Sequence, residues 1–187
     1  MRIIGGRARG LHLAPLGAGD AAAHLRPTPD RVRESIFNLL INGGHDAPVQ
    51  GARVLDLFAG TGALGLEALS RGAAHASFVE EGKTALALLR RNIALMRAEG
   101  ETQVLRRDAT RPGAQGGAGF DLVFLDPPYG KGLGEKAIAA CHAGGWFAPG
   151  AMIVWEEGSA PLPPPGLDLV DQRRYGDTHV TLLRMPR

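Results

Sequence analysis

The stretch FLDPPYGKG, residues 124 to 132, ends an apolar run on a carboxylate, Asp126, and follows it with Pro127, Pro128 and Tyr129. Proline has no N–H for a sheet ladder and holds its predecessor extended, so the pair leads the chain out of a sheet in a stiff, defined direction. A carboxylate and an aimed backbone carbonyl on such a lip suit a particular chemistry. The exocyclic amine of a nucleobase is a poor nucleophile because its lone pair is delocalised into the ring. Two acceptors that take its hydrogens hold the nitrogen toward an electrophile and favour the charge that develops there. Tyr129 would offer a face on which an extruded base could stack. An ordinary loop with a surface tyrosine would have the same four residues, so the surrounding elements decide.

A second constellation lies in DLFAGTGALG, residues 56 to 65. Gly60, Gly62 and Gly65 have the G-x-G-x-x-G spacing between a strand-like and a helix-like run, and Glu80 ends the next apolar run 20 residues after Gly60. The glycines allow close backbone approach and the acid accepts from ribose hydroxyls, which points to an adenosine-containing cofactor. Asp56 bears on which one. Beside the pyrophosphate of a dinucleotide a carboxylate is repulsive, whereas S-adenosylmethionine has no phosphate and carries an ammonium and a sulfonium. Asp56 therefore favours S-adenosylmethionine, unless it serves only as a hydrogen-bonded support of the loop. Phe58 belongs to the same turn. Asp108, at the end of a third apolar run, is expected to accept from the adenine amino group.

These residues need a sheet to position them. ARVLDLF (52 to 58), HASFVE (75 to 80), TQVLRRD (102 to 108), FDLVFLD (120 to 126) and AMIVWEE (151 to 157) read as strands. ALGLEALSRG, GKTALALLRRNIALMRAEG and GEKAIAACHA place apolar residues at helical spacing, with glycines closing the first two. The alternation predicts an α/β fold, five βα units in a parallel, doubly wound sheet. LDLVDQRRYG and THVTLLRM then predict a closing antiparallel hairpin after the SAPLPPPG linker.

Residues 1 to 45 form a distinct basic arm ahead of a catalytic domain over 46 to 187. RIIGGRARGLHLAPL predicts a short β-hairpin, and RPTPDRVRESIFNLL a helix with Thr28 as N-cap and Pro29 at its first position. Arg2, Arg7, Arg9, Arg26, Arg31 and Arg33 stand against only Asp20 and Asp30, so residues 1 to 33 carry +4 and the remainder −2 of a total of +2. Such asymmetry suggests a polyanionic partner, although a solvated basic surface would look the same. At 187 residues one core is expected, and a monomer is the default. The first residues have neither a signal peptide's apolar segment nor a membrane span, so the expected location is cytoplasmic. The single Cys141 reads as buried packing. No role is assigned to His12, His24 or Trp155.

The lip resembles the Asp/Asn-Pro-Pro-Tyr/Phe motif of methyltransferases that act on exocyclic or amide nitrogens. With MRIIGGRARG, LRPTPDRVRESIFNLL, DLFAGTGALGLEALSRGA and YGDTHVTLLR, the chain resembles the RsmD-type 16S ribosomal RNA guanine-N2 methyltransferases over nearly its full length. That resemblance implies a seven-stranded class I S-adenosylmethionine-dependent methyltransferase fold. It also implies methyl transfer to N2 of a guanine in the small-subunit rRNA of a partly or fully assembled small ribosomal subunit, with no metal. By position it assigns the cofactor to Asp56, Gly60, Gly62, Glu80 and Asp108, catalysis to Asp126, Pro127, Pro128 and Tyr129, and RNA or base-pocket contacts to Arg26, Thr28, Arg31 and Arg33. One departure is Gly82, where the family commonly has an acid or Asn, so a side-chain contact near the adenosine is missing. Three other functions share parts of this pattern: an N6-adenine DNA methyltransferase, a non-catalytic RNA-binding protein of the same fold, and an NAD-dependent enzyme. The absence of a separate target-recognition segment disfavours the first, the intact lip the second, and Asp56 the third.

Overall fold

A computed structural model describes residues 1–17, 25 and 27–187. Arg26 and His24 lie outside them. The elements are α1 (Asp30–Asn42), β1 (Arg53–Leu57), α2 (Ala63–Ser70), β2 (His75–Val79), α3 (Lys83–Met96), β3 (Thr102–Leu105), β4 (Phe120–Leu125), α4 (Leu133–Ala143), β5 (Phe147–Glu157), β6 (Asp168–Tyr175) and β7 (Thr178–Arg184). They build one seven-stranded sheet in the order β3-β2-β1-β4-β5-β7-β6, parallel from β3 to β5 and antiparallel where β7 inserts between β5 and β6. Chain order reverses between β1 and β4, which pair directly. At such a switch point a doubly wound sheet opens a crevice beyond its strand ends.

The central strands read as continuous apolar runs because both of their faces are covered. Val54, Leu122, Phe124, Met152 and Val154 share one core with α1, α2 and α3, through Ile36, Phe37, Leu66 and Leu89. Leu55, Leu57, Val123, Leu125, Ile153 and Trp155 share the other with α4, through Ala137, Ile138 and Cys141. Cys141 is fully buried, and burial pushes its thiol up to about 12, as expected of a packing cysteine. Trp155 is likewise completely buried, and a Cβ on Gly134 of α4 would stand 2.5 Å from its ring.

Three sequence expectations are corrected. The third strand stops at Leu105, so Asp108 lies in the following loop and not at a strand end. The connection from β3 to β4 has no helix; Pro112 and four glycines fall within its residues 106–119. The helix α1 begins at Asp30 with Pro29 in the cap position and no side-chain cap, because the Thr28 hydroxyl is engaged elsewhere.

The arm is fastened to the body. Arg2 and His12 form an antiparallel bridge, and Ile3 and Leu13 enter the same core as Leu66 and Phe124. The buried Glu67 of α2 accepts the N–H groups of Ile4 and Gly5, each at 2.9 Å, and pairs with Arg71 at 2.8 Å. Arg71 lies over the Phe37 ring, 4.9 Å from its centroid. Asn92 of α3 accepts from Ala14 N–H at 2.7 Å.

Candidate active site

Side chains alternate along a strand, so positions two apart share a face. Continuing Val54, Phe124 and Val154 by two residues brings Asp56, Asp126 and Glu156 to one face at the carboxyl ends of β1, β4 and β5. Leu25 and Thr28 from the arm approach the same end: Leu25 lies 3.8 Å from a Cβ built on Gly60, and Thr28 Oγ1 lies 3.2 Å from Asp126 Oδ2 and 3.1 Å from Glu156 Oε1.

The glycine turn is shaped by what surrounds it. Gly60 and Gly62 have φ of +56° and +80°, the left-handed region that glycine enters without a Cβ clash. Phe58 shares that region at +57°, a strained setting for an aromatic residue that costs about 1 kcal/mol or more. Gly65 serves close packing, since a Cβ there would meet the Phe78 ring at 2.4 Å and Asp56 Oδ2 at 3.1 Å. Asp56 is only 2% exposed and accepts the Gly65 N–H at 2.9 Å. Its first action is therefore on the loop, the alternative left open by the sequence. Burial holds its carboxyl well above the usual range, opposed by the Gly65 bond and reinforced by Asp126 and Glu80.

Glu80 joins the turn to the next helix. One oxygen accepts the Gly60 N–H at 2.8 Å, and the other accepts from Gly82 at 2.8 Å and Glu81 at 3.0 Å. A carboxylate offers about four acceptor positions, so one remains for a ribose hydroxyl. Gly82 is the cap of α3 and a Cβ there would lie 3.1 Å from Glu80 Oε1, so the missing side chain leaves this carboxylate room. Asp108 accepts from the backbone and hydroxyl of Thr110, both at 2.8 Å, and these bonds lower its carboxyl below the usual range.

Beyond Asp126 the lip is held on both sides. Pro127 is buried and Pro128 exposed. The Tyr129 hydroxyl lies 3.3 Å from Thr178 Oγ1 at the start of β7, and its ring packs against Gly158, where a Cβ would come within 3.1 Å. Burial pushes the phenol up to about 12, so it stays neutral near pH 7. Glu157 accepts the N–H groups of Gly130 and Gly158 at 3.0 and 2.8 Å. Glu156, Glu157, Gly158 and Thr178 were not singled out from the sequence. The period-two continuation of AMIVWEE was the signal that could have found Glu156.

The arginines divide by position. Arg33 is completely buried, a correction to its expected place among the RNA contacts; its guanidinium donates to the carbonyls of Thr28 and Arg2 and to Asp30. Arg7 pairs with Glu101, immediately ahead of β3, and so lies at the amino end of a strand parallel to β4, whose carboxyl end carries the lip. Arg9 is exposed on the same hairpin tip. Arg2 and Arg31 are exposed at the start of α1, Arg2 lying 3.7 Å from Asp30.

The sheet order, the reversal at β1 and β4 and the acids at that crevice define a class I methyltransferase. The family described as conserved hypothetical protein 95 matches residues 1–184. The chain is 42% identical over 181 residues to Ribosomal RNA small subunit methyltransferase D of Escherichia coli (strain K12), covering 94% of this chain and 85% of that one. It is 38% identical over 171 residues to the protein of the same name from Haemophilus influenzae, covering 88% and 83%. A solved Escherichia coli structure described as a candidate methyltransferase, yhhF, superposes with a TM-score of 0.84 at 38% identity, covering 100% of this chain and 98% of that one. The chain belongs to this family, the RsmD-type methyltransferases. Among the described residues no helix is long and apolar enough to cross a membrane.

Proposed function

We propose that the protein methylates the exocyclic N2 amine of a guanine in small-subunit rRNA, in an assembled or partly assembled small ribosomal subunit, acting in the cytoplasm as a monomer and without a metal. The observation that carries this reading is the position of Asp126, on a braced lip across the switch point from the glycine turn. The cofactor is S-adenosylmethionine, and the donor set fits it. Glu80 has an acceptor position for a ribose hydroxyl, Asp108 is an anionic acceptor for the adenine amine, and Gly60, Gly62 and Phe58 line the turn. Asp126 and Glu80 bring carboxyl oxygens to the crevice, which suits an ammonium and a sulfonium, while the buried Asp56 supports the turn through Gly65.

When bound, S-adenosylmethionine supplies an electrophilic methyl group on sulfur. Asp126 accepts one hydrogen of the guanine amine and the lip carbonyl after it the other, which orients the nitrogen and favours its developing positive charge. Pro127 and Pro128 restrict the direction of that carbonyl. Tyr129 gives the base a stacking face, and Arg2 and Arg31 meet phosphates beside the lip. RNA is favoured over DNA by the relatives of 42% and 38% identity, both named ribosomal RNA small subunit methyltransferase D. The test is Asp126→Ala. Turnover on unmodified small subunits should fall by about 10²-fold or more, while S-adenosylmethionine affinity is retained; full turnover would remove Asp126 from the reaction.

A further inference from the structure

The Thr28 hydroxyl stands between two carboxyl groups, 3.2 Å from Asp126 Oδ2 and 3.1 Å from Glu156 Oε1. A hydroxyl carries one proton and can donate to only one of them. Were both acids ionised, one would turn lone pairs toward the lone pairs of the hydroxyl, and two like charges would share a largely buried site. The contacts are all favourable if one carboxyl keeps its proton. Glu156 is only 2% exposed, whereas Asp126 is partly exposed at the mouth of the crevice, so the proton belongs on Glu156.

We propose that Thr28 and a protonated Glu156 are positioning residues for Asp126: the Glu156 carboxyl donates to Thr28 Oγ1, and the Thr28 hydroxyl donates to Asp126 Oδ2. The groups facing Glu156 agree with this. Burial raises its carboxyl well above the usual range, Asp126 and Asp56 raise it further, and the Thr28 bond and the Arg33 guanidinium oppose them. Arg33 directs both of its terminal nitrogens to Thr28 O, Arg2 O and Asp30 instead of Glu156. The Tyr129 phenol, which also senses Glu156, is neutral near pH 7. The directed chain fixes the rotation of the Asp126 carboxylate and ties it to the arm, so that the arm's docking sets the geometry of the amine site.

This inference rests on Asp126 as the acceptor of the amine, and the experiment separates the two. Single-turnover methyl transfer to unmodified small subunits is followed against pH for Thr28→Val, Thr28→Ser, Glu156→Ala, Glu156→Gln and Asp126→Ala, with S-adenosylmethionine affinity measured for each. Thr28→Val and Glu156→Ala should slow the transfer by about tenfold or more at little cost in cofactor affinity. Thr28→Ser and Glu156→Gln should recover most of that loss, since each restores the donor. The wild-type rate should also fall at alkaline pH as Glu156 loses its proton, a limb that E156Q lacks. If E156Q is as slow as E156A, or shares the wild-type pH profile, or if T28V is as fast as wild type, the relay is refuted. If D126A is as fast as wild type, the amine-site reading fails instead. Should E156A not fold, the comparison of E156Q with wild type decides alone.

Discussion

Glu157 accepts the backbone N–H of Gly130 at 3.0 Å, so the end of β5 holds the far end of the lip that leaves β4. Glu157 is 7% exposed and also accepts the Gly158 N–H, which leaves the lip little freedom to drift. Glu157→Ala should therefore lower the rate of methyl transfer by about tenfold through misplacement of the reacting nitrogen. Cofactor affinity should hold, because Glu157 touches neither the glycine turn nor Glu80. Rapid-quench turnover beside equilibrium cofactor binding measures both.

Glu80 is predicted to govern cofactor affinity. Its carboxylate holds Gly60, Glu81 and Gly82 while keeping a position for the ribose. Glu80→Ala should weaken S-adenosylmethionine binding by about 10- to 100-fold by calorimetric titration, the loss of several charge-assisted bonds together. Glu80→Gln should lie between, since one oxygen survives as an acceptor.

The placement of the arginines predicts unequal contributions to RNA binding. Arg31 is exposed three residues after Thr28, which touches Asp126, whereas Arg7 is tied to Glu101 at the amino end of β3. Arg31→Ala should weaken small-subunit binding and reduce the slope of log affinity against log salt by about one. Arg7→Ala should leave that slope almost unchanged. Affinities measured at several salt concentrations distinguish the two.

The buried acid at the end of β5 predicts how stability depends on pH. An acid whose folded pKa is raised binds more protons folded than unfolded, so stability is full below the unfolded pKa, about 4.3 for glutamate, and declines as pH rises toward the folded value. Glu156→Gln removes that decline. Its melting temperature should exceed that of wild type by a margin that widens from mildly acidic toward alkaline pH.

Much of the fold was legible in the sequence because the central strands are buried on both faces and spell themselves out as apolar runs. The hairpin of β6 and β7 was legible from its turn. The β3 to β4 connection was not, because TQVLRRD looks strand-like through Asp108 while the ladder to β2 ends at Leu105. At the site, Gly60, Gly62, Glu80 and the lip were legible from local spacing. Only the cap reading of Thr28 was wrong, because a threonine before Pro-Asp is a natural helix cap, and nothing local shows that its hydroxyl meets Asp126, 98 residues away. Arg33 was misread for the same reason. Its charge looked like surface, and its partners are backbone carbonyls that only the docked arm brings together.

The central claim is tested most directly by incubating the protein with methyl-labelled S-adenosylmethionine and unmodified small ribosomal subunits, then digesting the RNA to nucleosides and identifying the labelled one. The account predicts label in N2-methylguanosine, lost with Asp126→Ala. Label in another nucleoside, or none while cofactor binding is intact, would contradict it.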